Sequence, residues 1–517
     1  MKEKLTLQHV NADTKSQKSI YDVIIVGAGP AGLSVASELA KKYRVLLVDA
    51  RIEPERGQAR MQKSTEEEIT TKNTPGKIRK SWFCPHDCLY DNPDIVHCRK
   101  ANGVMRFLAK TYSGPNANEP EKYDLNWQSK QFAKVPLADR YPYLDEYKLI
   151  AHWEQKIIDQ KNGSHIKNGH IYQDHRVIDD GVEVRFLIKD PSGYSSKLYK
   201  SRLLLDASGH DSDILKAYNE KQKHVYWWTV FGAICQHPEG DIVREPTAGH
   251  PLVVGDYMLW QTFADSNADP STPVHRGRPI FEYEIFDERT SFPLVLYLRP
   301  YKISLERAKA EFLNILKHEP AAQAFKNVQI KELKFGCYPS GDLFRSRAQN
   351  HVDFIGDAGL WTTPCGWGAS FVLKNYASYA QQLSRLLDEN RLDKASLRSL
   401  AKKHSKHAEF FMNTVVTRFL SYGTVEQLDG FIGLFRKIDP IICERIFTLR
   451  AEPHDLLTFA RVLSRDLSIL SLFKAMPRRE RFHLMTNLIQ AVAQFLKEGM
   501  MARLGRKPER GFGVFKP

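Results

Sequence analysis

The sequence lacks any apolar run long enough to cross a lipid bilayer, and only seven of its 517 residues are cysteine. A membrane-spanning helix needs about 18 or more consecutive apolar residues, so none is expected. The first 20 residues are polar and contain no apolar core, which argues against a secretory signal. An odd number of scattered cysteines is typical of reduced thiols. We therefore expect a cytoplasmic protein, with membrane association left open.

No basic run with interleaved aromatic residues is present, although the formal net charge is +14. We therefore predict no nucleic-acid partner, and an anionic membrane surface remains an alternative for the excess charge. Paired C-x2-C knuckles are also absent. Cys84, His86 and Cys88 leave a zinc site as an alternative, but we favour loop residues beside a pocket and predict no metal.

The clearest positive signal is the stretch YDVIIVGAGPAGLSVASELAKKYRVLLVDA at 21–50. A buried strand leads into the pattern G-x-G-x-x-G, formed by Gly27, Gly29 and Gly32, and a helix follows. These glycines suit a tight turn, an approach of pyrophosphate to the backbone, and close helix–strand packing. Asp49 ends the next strand, where a carboxylate can bind an adenosine ribose. The pattern predicts dinucleotide binding, and a purely structural glycine turn is the alternative.

The pattern along the chain favours an α/β fold, with a Rossmann-like domain, an inserted antiparallel sheet and a helical C-terminal region. Charge, proline and glycine in 51–80 and 112–142 predict long loops that serve as lids or binding walls. The predicted divisions are a flexible arm (1–20), a dinucleotide-binding domain in two parts (21–223 and 336–384), an inserted substrate domain (224–335) and a helical region (385–517).

Three motifs occur in order: VGAGPAG at 26–32, LLLDASGHDS at 203–212, and FIGDAG followed by PCGWG within 354–368. On these motifs the chain resembles the FAD-dependent enzymes related to p-hydroxybenzoate hydroxylase. Within that group it looks most like the flavin-dependent lycopene cyclases and the geranylgeranyl reductases. The resemblance covers roughly residues 20–385, and more loosely the helical tail.

The resemblance implies FAD as cofactor, with the sheet at 224–335 covering its isoalloxazine ring and forming the substrate pocket. No second glycine-rich fingerprint is present, so NAD(P)H is expected only as a transient electron donor. The implied cofactor-binding residues are Gly27, Gly29, Pro30, Ala31 and Gly32 at the pyrophosphate; Asp49 and Ala50 at the adenosine; Asp206 and Gly209 beside the cofactor; Gly356 and Asp357 at the ribityl or pyrophosphate region; and Pro364, Cys365, Gly366 and Gly368 against the ring.

The chain departs from the patterns of these enzymes. The paired carboxylates of many lycopene cyclases are missing after Pro300, where only Glu306 is a candidate. The Tyr-x-Trp-x-Phe-Pro signature of the reductases and the Trp-x-Trp-x-Ile-Pro signature of flavin halogenases are absent too. We expect a lycopene-cyclase-like, FAD-dependent oxidoreductase-type enzyme on an apolar isoprenoid or polyene. A monooxygenase, a reductase of another small molecule and a non-catalytic flavoprotein remain alternatives.

The sequence leaves two further features with alternative interpretations. Glu282 and Glu284 alternate along a predicted strand, so they share one face, either lining an apolar pocket as a general acid or facing solvent as an acidic stripe. The predicted helix 486–497 has an apolar face, and basic residues precede it. Such a helix packs against the protein body or lies on a membrane surface as a peripheral contact. That face consists of Leu488, Ala491, Val492 and Phe495.

Overall fold

The computed structural model describes most of the chain in segments. These are 20–51, 81–83, 96–98, 104–115, 123–128, 133–136, 143–190, 193–218, 226–240, 257–264, 280–285, 289–299, 301–318, 320–325, 327–340, 346–362, 368–404, scattered positions in 411–442, 453–466, 470, 473–474 and 476–503.

The strands are β1 (Ile20–Val26), β2 (Val45–Val48), β3 (Ser81–Phe83), β4 (Val96–Cys98), β5 (Val104–Pro115), β6 (Tyr123–Gln128), β7 (Ala133–Pro136), β8 (Tyr143–Asp145), β9 (His165–Lys167), β10 (His170–Ile178), β11 (Gly181–Asp190), β12 (Gly193–Asp206), β13 (Tyr226–Gln236), β14 (Tyr257–Ala264), β15 (Ile280–Ile285), β16 (Thr290–Arg299), β17 (Gln329–Ser340) and β18 (Val352–Phe354). The helices are α1 (Pro30–Leu39), α2 (Glu146–Ile158), α3 (Asp213–Ala217), α4 (Leu305–His318), α5 (Gly368–Asp388), α6 (Lys394–His404), α7 (Pro453–Asp466) and α8 (Arg478–Arg503), with a 3-10 helix at Pro320–Phe325.

The first sheet has seven strands in the order β10-β11-β12-β1-β2-β9, with β18 paired to β12. Its centre is parallel, since β1 runs alongside both β2 and β12, and β12 alongside β18. Val23 and Ile25 pack against a core that includes α1, α2 and α5, while Ile24 and Val26 pack into a second core on the other face. Burial on both faces explains why the strand consists of consecutive apolar residues.

The second sheet has eight strands in the order β17-β13-β16-β15-β14-β5-β6, with β7 paired to β5. One face packs on α4 and the 3-10 helix through Phe231, Phe281 and Tyr283. Ser304 accepts a hydrogen bond from the Arg307 amide and so caps the N-terminus of α4. The other face, which we call the far face, carries Trp228 and, on neighbouring strands, Tyr338, Leu294 and Glu282.

The α/β fold with its added, mostly antiparallel sheet and C-terminal helices is confirmed, but the loop interpretation of 112–142 is wrong. Strands β5, β6 and β7 lie in or extend into that region and join the second sheet. Strand β5 pairs with β14 in parallel, across about 150 residues of chain. Glycines and prolines dominate the local pattern there, whereas β5 forms against the distant strand β14, and β6 and β7 then pair with β5. The boundaries of the predicted domains stay a prediction.

Helix α8 is linked to the far face of the second sheet through Arg418. The guanidinium of Arg418 lies 4.5 Å from the ring centroid of Tyr226 in β13 and 2.9 Å from the carboxylate of Glu480 in α8. Tyr226 and Tyr422 also share a hydrogen bond. The helix predicted at 486–497 lies within α8, but the predicted face is only partly right, because Ala491 is buried and Val492 is exposed. None of the helices in the described segments is long and apolar enough to span a membrane.

Asp353 in β18 provides a test of the core beneath the first sheet. Its carboxylate accepts hydrogen bonds from the Tyr379 hydroxyl at 2.7 Å and from the Phe354 amide at 2.9 Å. Burial raises the pKa of Asp353 to about 7, because the hydrogen bonds offset only part of the cost of burying a charge. The folded protein therefore binds this proton more tightly than the unfolded chain does.

Asp353→Asn should remove a loss of stability that occurs as the pH rises. In the wild type, the contribution of Asp353 to the free energy of unfolding falls between about pH 4 and pH 7 and is constant above that range. The free energy of unfolding of the variant minus that of the wild type should therefore grow by on the order of 2 to 4 kcal/mol across the window. Urea unfolding at a series of pH values measures this difference, and a difference that does not change with pH would contradict the assignment.

Candidate functional site

The glycine turn after β1 is shaped by backbone contacts that leave no room for side chains. Gly27 has a φ of +107°, and a Cβ there would lie 2.3 Å from the carbonyl oxygen of Ala207. A Cβ on Gly32 would lie 1.9 Å from the carbonyl oxygen of Gly27. These contacts agree with the roles predicted for the two glycines, namely a tight turn and close packing of helix on strand.

Gly29 differs, because neither its backbone conformation nor its surroundings require a glycine. Its φ of −80° and ψ of −179° are open to any residue, and a Cβ would meet nothing within 4 Å. Gly29 is the N-cap of α1, no side chain caps the helix, and Pro30 follows at the first helical position. The first-turn amides and the positive dipole end therefore face this space. A diphosphate is the kind of group that such a cradle binds.

Asp49 follows the end of β2 beside this turn. Its carboxylate accepts hydrogen bonds from the Ala28 amide at 2.8 Å and from the Arg51 guanidinium at 2.7 and 2.8 Å. Burial alone would raise the pKa of Asp49, but the hydrogen bonds from Arg51 and Ala28 hold it below its ordinary value. The ionised group thus braces the turn, and Ala50 beside it is exposed. Sequence reasoning missed Arg51, although a cation two residues after the acidic residue was a readable signal.

The second loop follows β12, whose last residue, Asp206, pairs with Val26 of β1. The Asp206 side chain is fully buried, and it accepts hydrogen bonds from the amide and hydroxyl of Ser208 and from the hydroxyl of Ser212. Burial raises its pKa, while the serine hydrogen bonds and the charge of Arg347 act in the opposite direction. Asp206 therefore shapes the loop from inside, and Gly209 takes a left-handed turn with a φ of +91°.

The third loop follows β18 and packs on the first turn of α1. Gly356 has a φ of +61°, and a Cβ there would lie 2.8 Å from the Cβ of Ala31. Asp357 comes next and is half-buried. The buried Arg347 donates a hydrogen bond to the carbonyl oxygen of Ala358 at 3.2 Å. Arg347 therefore joins the third loop electrostatically to the second, a role that no motif in the sequence signals.

The predicted residues of the three motifs thus meet where adjacent parallel strands end. Gly368 is the first residue of α5, whereas Pro364, Cys365 and Gly366 lie outside the described residues. Cys84, His86 and Cys88, considered for zinc, lie outside them too. Within the described segments, no group of three or more histidine, cysteine, aspartate or glutamate side chains is arranged to hold a metal ion.

The second sheet is attached to the second loop at the start of β13. The ring of His210 packs edge-on against Trp227, with centroids 5.0 Å apart. Lys302 lies 3.0 Å from the carboxylate of Asp211 and 4.4 Å from the ring centroid of Trp227. These contacts place one end of the second sheet directly against the predicted cofactor loops.

Glu282 lies on the far face and is only 6% exposed, so a solvent-facing acidic stripe is wrong for this residue. The side chain of Glu284 lies outside the described part of the structure. Burial raises the pKa of Tyr338, and the charges of Glu282 and Asp357 add to the rise. The phenol of Tyr338 is therefore protonated at neutral pH, within electrostatic range of both the third loop and Glu282. A hydrogen-bond donor and a buried carboxyl group thus share this face.

The profile of the family described as "NAD(P)-binding Rossmann-like domain" matches residues 25–56. A search of curated proteins found no match. Among solved structures, a geranylgeranyl bacteriochlorophyll reductase-like protein from Thermoplasma acidophilum has a TM-score of 0.58 at 13% identity, over 86% of this chain and 98% of the other.

Two other solved structures are similar at comparable identity. The flavin-dependent brominase Bmp2 has a TM-score of 0.55 at 14% identity, over 86% of this chain and 99% of the other. A mutant of the halogenase PltM in complex with FAD has a TM-score of 0.51 at 13% identity, over 93% and 92% of the two chains. At these identities the likeness establishes a fold shared with flavin-dependent enzymes.

Gly29→Val should abolish dinucleotide binding while leaving the fold intact. Its side chain would enter only the space in front of α1, so the melting temperature should stay within about 2 °C of the wild type. Affinity for an adenine dinucleotide should fall by roughly a hundredfold or more. Calorimetric titration with FAD, and separately with NAD(P)H, measures this loss.

Gly32→Val is the matched contrast, because its Cβ would collide with the backbone of Gly27. That variant should be poorly soluble or strongly destabilised. Unchanged dinucleotide affinity in Gly29→Val would show that the space in front of α1 is not the phosphate site.

Proposed function

We propose that this protein is an FAD-dependent oxidoreductase-type enzyme acting on an apolar substrate of isoprenoid or polyene type. The observation that carries the proposal is the meeting of three loops, after β1, β12 and β18, around an uncapped helix N-terminus at Gly29. In open α/β sheets, ligands bind outside the carboxyl ends of the parallel strands. The second sheet is attached to the same loops, so cofactor and substrate sites adjoin.

The residues present fit FAD. The amides after Gly29 would hold the pyrophosphate, Asp49 and Arg51 would lie at the adenosine end, and Asp357 would lie toward the ribityl chain. The Asp49 carboxylate is paired with the Arg51 guanidinium, and Asp206 is hydrogen-bonded to Ser208 and Ser212, which weakens the repulsion between these groups and a diphosphate. When bound, FAD supplies hydride transfer or oxygen activation, which side chains alone cannot provide.

The far face supports an apolar substrate. The buried side chains on it are largely hydrophobic, and Arg418 and Tyr422 contact Tyr226 at one end of it, with Arg418 also paired to Glu480 of α8. Glu282 and Tyr338 would then be polar groups in an apolar compartment, where they would orient a substrate or deliver a proton to it. The apolar members are Trp228, Ile280, Leu294, Leu296 and Leu298.

Reduction and cyclisation make different demands on this site. A buried carboxyl group at Glu282 favours protonation of a double bond, which initiates cyclisation and is also one half of a formal reduction. Purified protein should be incubated anaerobically with candidate polyenes and NAD(P)H. Consumption of NAD(P)H that depends on the polyene selects the reductase. Isomerisation without net NAD(P)H use selects the cyclase, and a protein that binds no flavin would overturn the proposal.

Glu282→Gln and Tyr338→Phe should retain flavin but lower turnover by about a hundredfold each, since each variant removes a group that can take up or release a proton, with little change of shape. Absorbance of the purified variants reports bound flavin, and single-turnover rates report the reaction. Glu306→Gln is the matched control, because Glu306 is exposed on α4 and should leave the rate unchanged. Wild-type rates in both far-face variants would remove these residues from the reaction.

A further inference from the structure

Helix α8 carries a continuous exposed apolar stripe that nothing in the proposed function uses. Its six members are spaced three or four residues apart, so they line one side of the helix. Their exposed fractions lie between 43% and 71%. The stripe runs for about 27 Å, at a rise of about 1.5 Å per residue. It consists of Phe482, Met485, Ile489, Val492, Leu496 and Met500.

The orientation of the stripe is set by contacts on the rest of the helix. Leu484, Asn487 and Ala491 are buried on the other side. Near the N-terminus of α8, the carboxylate of Glu480 lies 2.9 Å from the buried guanidinium of Arg418. The guanidinium of Arg481 donates to the carbonyl oxygens of Met476 and Lys474 at 2.8 and 2.7 Å. The helix is therefore held against the body with the stripe turned outward.

Among the described side chains around the stripe, the exposed charged ones are positive. Lys474, Arg478, Arg479 and Lys497 are all exposed, and the acidic residue in the first turn, Glu480, is buried in its ion pair. The whole chain has a formal net charge of +14. Two copies of the stripe placed face to face would bring like charges together, which disfavours self-association. An anionic surface would instead accept both the charge and the apolar side chains.

We infer that α8 is an interfacial helix that seats the protein on an anionic lipid bilayer. Apolar residues of the stripe enter the boundary between headgroups and acyl chains, and the flanking cations contact lipid phosphates or carboxylates. Charge complementarity is what selects a membrane over a second copy of this chain. The inference is independent of the bound cofactor, so it stands or falls apart from the proposed function.

The test is co-sedimentation of the full chain with phosphatidylcholine vesicles, with and without about 30% phosphatidylserine. The wild type should bind the anionic vesicles, bind the neutral ones weakly, and dissociate as salt rises to about 0.5 M. The double variant Ile489→Gln with Leu496→Gln should partition at least about tenfold less, with an unchanged melting curve, because both side chains are exposed. Ile158→Gln, an equally exposed apolar position at the end of α2, is the control and should bind like the wild type.

Any one of four results would overturn the inference. The wild type could stay in the supernatant with anionic vesicles, or the double variant could bind as well as the wild type. Sedimentation velocity could instead show a wild-type dimer that the double variant dissociates, which would assign the stripe to a second copy. Unfolding of the double variant at a markedly lower temperature, without vesicle binding by the wild type, would mean that a segment of this chain covers the stripe.

Discussion

The structure depends on one steric constraint, the approach of backbone to backbone around Gly27. A Cβ at Gly27 would overlap the carbonyl of Ala207, and a Cβ at Gly32, in the first turn of α1, would overlap the carbonyl of Gly27. Gly356 repeats the arrangement against Ala31. Because β1, β12 and β18 are parallel neighbours, their ends coincide, and the glycines let all three loops converge there. The helix dipole of α1 then points into the space beside Gly29, where a Cβ would meet no atom of the described residues within 4 Å.

Electrostatics within the loops follows from this convergence. The loops bring buried carboxylates close to the space that we assign to a diphosphate, which would be unfavourable if they were unsatisfied. Asp49 is neutralised by Arg51 and by the Ala28 amide, and Asp206 is surrounded by serine donors with Arg347 nearby. The first-turn amides of α1 therefore face this space beside carboxylates that are already hydrogen-bonded within the protein. This is the arrangement that favours an anion.

The sequence was sufficient wherever structure follows from local chemistry. The strand–turn–helix around Gly27, Gly29 and Gly32, the helix beginning after Ser304 and the mixed architecture follow from periodicity and turn residues. Strand β5 does not, because its parallel partner β14 lies far away in the chain. Arg347 was missed for the same reason: its position matters only after two distant loops meet. The interior position of Glu282 also depends on what covers the sheet, which alternation along β15 cannot reveal.

The polar groups on the far face are better explained by function than by stability. Glu332 and Lys334 form a buried ion pair at 2.7 Å on the same face that holds Glu282 and Tyr338. Desolvation makes buried charges costly, and apolar residues of similar size would stabilise a sheet at least as well. Perturbed ionisable groups concentrate where chemistry or recognition requires them. Their position next to the third loop, through the interaction of Tyr338 with Asp357, supports the substrate compartment that we propose at this face.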